Sequence, residues 1–281
     1  MRITETAIPG LLIIDLDVHG DNRGWFKENW QREKLTGLAP ELASFQPVQN
    51  NISFNHAGAT RGLHAEPWDK LISVAQGKIF GAWCDLREGS ESFGEVITHE
   101  IGPETAVFVP RGVANGFQAL EDTSYSYLVN EHWSAEARYA AVNLDIVDWP
   151  LEPTEVSEKD KQHPSLEEVS PMPARRILVT GANGQLGRAL KRLLGDAEFC
   201  SHADFDITNP PERNWKQYST IINCAAYNDV NGAENDRAAA WAVNAEGPAK
   251  LARIAAENQI TLVHVSSDYI FDGANEVHTE A

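Results

Sequence analysis

The sequence predicts two domains of different class, an all-β sandwich or barrel followed by a doubly wound α/β sheet. Its 281 residues are enough for two domains that each bury a core. Before about residue 175, short β-rich runs recur with little helical periodicity. After that point, a strand, a glycine-rich turn, a helix and a further strand follow one another, which is the order of a parallel sheet.

Charge and composition narrow the possible partners. The chain has 23 Lys and Arg against 41 Asp and Glu, a formal net charge of -18. Nucleic acid and anionic membranes would both repel such a chain, so neither is expected as a partner. Cys84, Cys200 and Cys224 are too few and too scattered for a disulfide framework or a zinc site. With no apolar leader and no long apolar run, we expect a cytoplasmic protein.

The first domain is predicted from its apolar runs. Gln76-Gly77-Lys78 separates two alternating runs and predicts a hairpin turn. The runs that we interpret as β-rich are 10–18, 49–54, 69–86, 106–110, 123–130 and 139–149.

The second domain is predicted from alternating patterns. We expect strands at 176–180, 220–224 and 260–265 and helices at 185–194 and 238–258. Gly247-Pro248 lies inside the longer helix and predicts a kink or a break there.

A proline- and acid-rich segment joins the two domains. Ser157, followed three residues later by Asp160, resembles a helix N-cap, so part of the segment is expected to be structured. We place the linker at 170–174, the first domain at 1–169 and the second at 175–281.

The densest cluster of chemically capable residues is Thr60–Lys70. If the cluster begins on a strand, Gly62 and His64 face away from Arg61 and Leu63. A lone histidine on a strand is more often a hydrogen-bonded structural residue than a ligand. A metal site would need a second ligand close by, such as His-x-His, and the sequence predicts no metal here.

Six blocks of this half, read in order, resemble the dTDP-4-dehydrorhamnose 3,5-epimerase family. They are 19–28, 49–54, 60–70, 80–94, 108–118 and 125–134. The resemblance implies a cupin-type jelly roll that needs neither metal nor cofactor. It also implies 3,5-epimerisation of dTDP-4-dehydro-6-deoxy-D-glucose to dTDP-4-dehydro-L-rhamnose, in dTDP-L-rhamnose biosynthesis. A base removes a proton next to the ketone, a cation stabilises the enolate, and an acid reprotonates the opposite face.

The resemblance also implies roles for particular residues. His64 is the base, Lys70 stabilises the enolate, and Asp145, or less favourably Asp148, orients His64. The family's usual acid is a tyrosine, and His132 stands where we align it. An imidazolium can donate a proton near neutral pH. The alternatives are a site limited to one carbon and an inactive site.

Substrate binding follows from the same resemblance. Arginines bind phosphate oxygens in pairs, which suits a nucleoside diphosphate. Phe26 fits a core position as well as a ligand contact. Family members form dimers in which one strand region reaches into the neighbouring site, so we expect a homodimer. The implied binding residues for the dTDP-sugar are Arg23, Phe26, Glu28, Gln49, Asn51, Arg61 and Asn115.

A glycine-rich turn opens the second domain. Gly181, Gly184 and Gly187 follow a predicted strand and begin a helix, a pattern typical of dinucleotide binding. Segments 204–209, 222–236, 243–247 and 264–273 resemble dTDP-4-dehydrorhamnose reductase, an extended short-chain dehydrogenase. This resemblance implies NAD(P)H bound by Gly181, Asn183, Gly184, Gln185, Leu186, Gly187, Asp206, Ile207, Ala225, Ala226 and Tyr227, and a sugar contacted by Ser267, Asp268 and Tyr269.

Such reductases use a Tyr-x-x-x-Lys pair, in which the lysine lowers the tyrosine pKa. Neither Tyr227 nor Tyr269 is followed by lysine at that spacing, and the chain ends at Ala281. We expect this half to be the front part of a reductase that binds NAD(P) weakly, within a longer parent performing both steps. A complete oxidoreductase and a non-catalytic sugar-nucleotide-binding barrel are the other two hypotheses.

Overall fold

The computed structural model describes residues 1–135 and 137–267. The chain divides into two compact units, Met1–Ala174 and Arg175–Ala281. Among the described residues, no helix combines the length and apolar character needed to cross a bilayer.

Two antiparallel sheets build the first unit. The larger sheet contains β1 (Arg2–Glu5), β2 (Leu12–Asp15), β5 (Gln49–Asn55), β7 (Lys70–Gln76), β10 (Thr105–Val109) and β12 (Thr123–Val129), in the order β1-β2-β10-β7-β12-β5. The smaller sheet contains β6 (Thr60–Ala65), β8 (Ile79–Asp85), β9 (Val96–Ile101), β11 (Val113–Ala119) and β13 (Ala140–Ala141), in the order β13-β6-β11-β8-β9. A separate hairpin pairs β3 (Val18–Asp21) with β4 (Gly24–Lys27), and helix α1 spans Arg32–Leu38.

The main core lies between these sheets. Ile72 and Tyr125 of the larger sheet pack with Trp83 and Phe117 of the smaller one, all nearly fully buried. The rings of Phe117 and Tyr125 stack at a centroid distance of 4.3 Å. Both sheets therefore bury one face against the other, which confirms the predicted all-β jelly-roll class.

Two outer layers complete this unit. The chain after β13 covers the outer face of the smaller sheet, where Leu63 and Met172 are buried together. Helix α1 and the following 3₁₀ turn cover the larger sheet with Leu35 and Phe45. Because β7 is covered on both faces, its first five residues are all buried and do not alternate between buried and exposed.

The structure differs from two sequence-based predictions in this unit. Gln76–Lys78 is not a hairpin turn, since β7 and β8 belong to different sheets, and the turn leads from one sheet to the other. An alternating pattern is the same for two paired strands and for two strands packed face to face. The run 139–149 forms only the two-residue β13, followed by a 3₁₀ turn at Leu144–Ile146.

The expected linker is packed on the first unit. The Met172 N–H donates to Leu86 O at 2.7 Å, and the Glu88 N–H donates to Met172 O at 2.8 Å. Met172 itself is only 1% exposed. Prolines mark irregular backbone in 170–174, but irregular backbone can be fixed as firmly as a strand.

The second unit is a parallel sheet with helices. It contains β14 (Arg176–Thr180), α2 (Gln185–Leu190), β15 (Glu198–Cys200), β16 (Tyr218–Asn223), α3 (Val230–Asn235), α4 (Arg237–Trp241), α5 (Gly247–Glu257) and β17 (Thr261–His264). The strand order is β15-β14-β16-β17. From β14 the chain therefore first adds β15 on one side and then crosses to add β16 and β17 on the other side, so the strand order reverses next to β14. This confirms the predicted α/β class.

The predicted helix 238–258 is interrupted. A π-helical turn at Ala242–Glu246 separates α4 from α5, and α5 begins at Gly247 with Pro248 in its first turn. Proline fits the first turn of a helix because that N–H has no intrahelical acceptor. The irregularity predicted at Gly247-Pro248 takes the form of a π-helical turn just before Gly247, and the backbone stays helical there and does not break.

Candidate active site

A cavity of about 1120 Å³ lies in the first unit, lined by residues of both sheets. Strands β5, β7 and β12 contribute from the larger sheet and β6 and β11 from the smaller one. Trp133, Ala135, Tyr139, the short β13 and several residues within 155–163 add to its lining. This is large enough for a nucleotide-sized ligand.

His64 lies on β6 and forms a pair with Asp160. His64 Nε2 is 2.8 Å from Asp160 Oδ1, and the other carboxylate oxygen accepts the Gly62 N–H at 3.2 Å. The His64 side chain is 37% exposed, whereas that of Asp160 is 6% exposed. The pair leaves Nδ1 of His64 available to a ligand, while the buried carboxylate fixes the ring.

Burial alone would raise the pKa of Asp160, but the hydrogen bond from His64 and the Gly62 N–H outweigh it, so the pKa is lowered. Asp160 is therefore ionised at neutral pH. Its negative charge supports a positive His64, which is what a histidine base needs after taking a proton.

His163 is a second imidazole beside this pair. Its ring centroid is 5.1 Å from that of His64, and its Nε2 is 3.8 Å from Asp160 Oδ1. The pKa of His163 is lowered by burial and then by the nearby His64, against the opposing effect of Asp160. A backbone hydrogen bond with Val142 also acts on the ring, and it can involve only one of the two ring nitrogens.

Lys70 lies at the start of β7 in the same cavity. Its Nζ is 2.6 Å from Glu66 Oε1 and 4.9 Å from the centroid of the Tyr127 ring. Lys70 is 5% exposed, so its charge is held in place by this carboxylate and this ring. Burial, and then the charge of Glu66, raise the pKa of Tyr127.

Tyr139 also lines the cavity, whereas the side chain of His132 is exposed outside its lining. The Tyr139 hydroxyl donates to Ser134 O at 2.9 Å, and its ring packs edge-on against Trp68 at 5.6 Å. Burial, and then Glu66, raise the pKa of Tyr139, so its phenol stays protonated at neutral pH.

Four predicted binding residues share this cavity. Arg61 Nε donates to Asn55 Oδ1 at 2.7 Å, and Asn115 Nδ2 donates to the Tyr125 hydroxyl at 3.3 Å. Asn115 lies opposite His64 in the pairing of β11 with β6. Gln49 and Asn51 lie on β5, where the Gln49 amide donates to the Asn51 side-chain oxygen at 2.9 Å.

The hairpin residues lie apart from this cavity. Arg23, Phe26 and Glu28 are absent from its lining, and the Phe26 ring is 64% exposed. Arg23 pairs with Asp21, and Glu28 pairs with Lys34. Within one chain, the structure does not bring these three residues to His64.

In the second unit, two predicted cofactor loops meet at the ends of neighbouring strands. Gly181 has φ +71°, and a Cβ there would lie 2.6 Å from the Ala225 backbone nitrogen. A Cβ on Gly187 would lie 2.5 Å from Gly181 O. The loops after β14 and β16 thus touch where the strand order reverses, which is the ligand position of doubly wound sheets.

The remaining predicted cofactor residues surround these loops. Ile207 is buried beside Gly247, and the Tyr227 N–H donates to Asn244 Oδ1 at 2.8 Å. Ser267 is exposed, and Asp268 and Tyr269 lie outside the described residues. Three of these residues are half-buried, namely Asp206, Ala225 and Tyr227. Others are exposed: Asn183, Gly184, Gln185, Leu186 and Ala226.

Comparison with known proteins assigns the first unit. Residues 5–168, more than half of the chain, match the family model for dTDP-4-dehydrorhamnose 3,5-epimerase. The chain belongs to this epimerase family. A relative from Streptococcus pyogenes, described as "Protein RmlC homolog", is 53% identical over 176 residues, 59% of this chain and 89% of the relative. RmlC from Streptococcus suis, solved in complex with dTDP-D-xylose, has 50% identity and a TM-score of 0.57, covering 61% of this chain and 94% of that one.

The second unit of this epimerase-family chain matches a different model. Residues 175–281 match the RmlD substrate binding domain. A dTDP-4-dehydrorhamnose reductase from Mycobacterium tuberculosis is 45% identical over 106 residues, 36% of this chain but only 35% of the reductase. The chain therefore spans about a third of that relative's length.

The carboxylate that pairs with His64 in this epimerase-family chain is not the one that the sequence predicts. Asp145 and Asp148 are both exposed, and the structure pairs Asp160 with His64 instead. The signal for Asp160 was present, because its N–H donates to Ser157 Oγ at 3.1 Å as the cap pattern predicts. That cap turns Asp160 inward, a consequence that the sequence pattern alone did not indicate.

The second imidazole was missed for a different reason. No second histidine lies near His64 in the sequence, because His163 comes 99 positions later and meets His64 only through folding. Tyr139 and Glu66 were missed as well. Glu66 lay within the recognised cluster, and only the fold shows that it pairs with Lys70.

Proposed function

We propose that this protein catalyses 3,5-epimerisation of dTDP-4-dehydro-6-deoxy-D-glucose to dTDP-4-dehydro-L-rhamnose. The observation that carries the proposal is the His64–Asp160 pair, which lines the same cavity as the buried Lys70. A base and a fixed cation are the two groups that enolate formation beside a ketone requires. Membership of the epimerase family supports the same reaction.

In this mechanism Nδ1 of His64 removes the proton next to the ketone. Asp160 stabilises the resulting imidazolium through its bond to Nε2, and Lys70 stabilises the enolate oxygen. Glu66 holds the Lys70 ammonium in position. Its negative charge also offsets part of the positive potential that Lys70 exerts on the enolate oxygen. The same dyad serves C3 and C5 if the sugar ring turns between the two steps.

For the acid, the geometry favours Tyr139 over His132. Tyr139 lines the cavity and has a raised pKa, so its phenol carries a proton to donate. His132 is exposed outside the lining. An acid must reach the carbon from the face opposite the base, and only a residue that lines the cavity can do so.

Substrate binding and assembly complete the proposal. Arg61, Gln49, Asn51 and Asn115 bind the sugar nucleotide inside the cavity. The hairpin residues Arg23, Phe26 and Glu28 bind it across a homodimer, because they are exposed and apart from their own chain's cavity. We also propose a cytoplasmic location, which suits cysteines that are free thiols in the described structure.

The second unit is proposed to hold NAD(P)H. The space that a Cβ would fill at Gly181 and Gly187 fits a backbone that approaches a pyrophosphate closely. A bound nicotinamide would supply hydride for reduction of the epimerised ketone. In this chain Gln185, at the start of α2, would place its backbone N–H near the phosphates, whereas the Gly184 N–H already donates to Gly181 O at 3.0 Å and closes the turn. Asp206 and Ile207 would contact the adenosine part. The chain covers about 35% of the reductase relative, so reduction is proposed only for a longer protein.

Proton NMR in deuterated water with dTDP-4-dehydro-6-deoxy-D-glucose tests the epimerisation. We expect loss of the C3 and C5 proton signals with the unaltered protein. His64→Ala should slow exchange by roughly 10²–10⁴-fold while nucleotide binding persists. Asp160→Asn should also slow it, whereas Asp145→Asn, an exposed carboxylate in the same fold, is the matched control and should have no effect.

The same assay tests the acid and the alternative functions. Tyr139→Phe should leave proton removal intact but slow conversion to the epimer, and His132→Gln should do neither. A reversed result for the two aspartate variants would refute the dyad. Binding without exchange at either carbon would instead identify a non-catalytic barrel.

A further inference from the structure

We infer that His64, Asp160 and His163 form a site for a divalent transition-metal ion such as Zn²⁺. The bound ion inhibits proton abstraction by His64 and does not assist it. The three ligand atoms lie within 4.8 Å of one another, the one such group of His, Cys, Asp and Glu side chains in the described part of the chain. The inhibitory part of the inference rests on the proposed function, whereas the binding part does not.

The distances between donors suit a tetrahedral ion. Ligand bonds of about 2.0–2.2 Å place neighbouring donors roughly 3.3–3.6 Å apart. The Asp160 oxygen is 2.8 Å from His64 Nε2 and 3.8 Å from His163 Nε2. On metal binding the first distance would lengthen, and the second would shorten, by about half an ångström. Two imidazoles and one carboxylate, with a fourth position open to the cavity, are a common zinc donor set.

His163 gives independent support for a ligand at this point. Its side chain is 7% exposed, and the Val142 backbone carbonyl can accept from one ring nitrogen at most, so the other ring nitrogen is buried with its lone pair directed to no donor among the described residues. Buried polar atoms without partners are uncommon and costly in proteins. The ring lies beside a carboxylate that is already bonded to His64, at a separation too long for a hydrogen bond and suited to a shared cation.

The effect on the reaction follows from the tautomer of His64. In the free dyad, Nε2–H donates to Asp160 and the lone pair on Nδ1 is the base. A metal ion needs the lone pair of Nε2, so the proton there moves to Nδ1. Nδ1 then has no lone pair with which to abstract a substrate proton. Metal binding and base function are therefore mutually exclusive at this histidine.

Direct binding measurements test the site on the full chain, first freed of metal with EDTA. Titration with Zn²⁺ should show one high-affinity site per chain, and Co²⁺ should give the visible absorption of a tetrahedral ion. His163→Ala should weaken binding by more than the roughly 10–100-fold expected for removal of an outer-shell partner. His163→Asn is the second variant if the alanine variant does not fold.

His56 provides the matched control. It lies 3.4 Å from Asp122 as an exposed His–Asp pair without a third ligand, so His56→Ala should leave the high-affinity site unchanged. Equal Zn²⁺ affinity in the unaltered and His163 variants would overturn the inference, and so would the absence of a high-affinity site.

Proton exchange with the sugar nucleotide separates the two proposals. Stoichiometric Zn²⁺ should abolish exchange in the unaltered protein, EDTA should restore it, and His163→Ala should need correspondingly more Zn²⁺ for the same inhibition. If Zn²⁺ binds as expected and exchange is absent even without metal, the metal site stands and the proposed epimerisation fails. If Zn²⁺ binds at His163 and exchange continues unchanged, the inhibitory role is refuted.

Discussion

At the residue scale, the clearest electrostatic contribution to stability in the first unit comes from Asp85 at the end of β8. Its side chain is 0% exposed, and its two oxygens accept hydrogen bonds from Arg87, Ser90 and Ser92. Burial alone would raise the pKa of Asp85, but these hydrogen bonds outweigh it and lower the pKa to about 2. The carboxylate form is thus strongly preferred in the folded state.

We predict that Asp85→Asn lowers the free energy of unfolding by roughly 2 kcal/mol at neutral pH. Because the folded pKa lies below the unfolded value, the stabilisation is complete above about pH 4 and is lost as the pH falls through about 2. The difference between the two proteins should shrink over that window. Urea titrations read out by pulsed hydrogen exchange in β8 measure it. Asp122→Asn is the exposed control, and a pH-independent difference would contradict the argument.

The residues of the site show where sequence reasoning works for single positions. His64 and Lys70 lie six positions apart in one recognisable cluster, and the fold places both in one cavity. Asp160 begins a single 3₁₀ turn, Asp160–Gln162, and His163 directly follows it, so the element is too short for a hydrophobic period to orient their side chains. Their direction depends on a local cap at Ser157, which the sequence indicates, and on burial against β6, which is a tertiary effect.

At the element scale, the second unit depends on close contact between α2 and the turn that precedes it. A Cβ at Gly187 would lie 2.5 Å from Gly181 O and 2.8 Å from Ala182 Cα. These are backbone atoms of the turn itself, so they cannot move aside as a flexible side chain would. The third glycine of the motif is therefore required by packing, whether or not a cofactor binds.

Gly187→Ala should destabilise the second unit by roughly 1–3 kcal/mol, a typical cost of overpacking. Hydrogen exchange in β14 and β16, measured by mass spectrometry, should become faster, while exchange in β7 and β8 should not change. Gly195→Ala is the matched control, because nothing lies within 4 Å of a Cβ there. If both variants exchange alike, the close contact is not what fixes α2.

The predictability of elements follows from their patterns. β14 has the predicted bounds, 176–180. The start of the apolar run marks its beginning, and the glycine that follows the run marks its end. The turn at Gln76–Lys78 was misinterpreted because a local pattern contains no information on which sheet each strand joins. In the run 139–149, the buried apolar residues Val142 and Val147 flank the 3₁₀ turn, so an apolar pattern that suggests a strand here reflects burial on either side of a turn.

At the scale of the whole molecule, the first unit has exposed features that a single chain does not use. Ile52 and Phe54 are 70% and 58% exposed on β5, which is an edge strand of the larger sheet. The β3–β4 hairpin is fixed at its base, where Lys27 Nζ donates to Val74 O and Pro103 O, both at 2.8 Å. Burial lowers the pKa of Lys27 to about 8. An anchored hairpin and an apolar edge both favour a second copy as the partner.

If the hairpin completes the partner's site, two inactive variants should restore activity when they share a dimer. One variant is His64→Ala, and the other is Arg23→Ala with Phe26→Ala, which leaves the dyad intact. A mixed dimer would contain one site with both lesions and one site with neither. After random exchange of subunits, about a quarter of all sites should be active in the NMR exchange assay.

Each variant exchanged with itself is the control and should stay inactive. Size-exclusion chromatography with light scattering establishes that dimers are present in every mixture. If the hairpin serves its own chain, every site in the mixture carries one lesion and no activity returns. Recovery therefore depends on the path of the hairpin and not on the dimer alone, since a dimer with two self-contained sites predicts none.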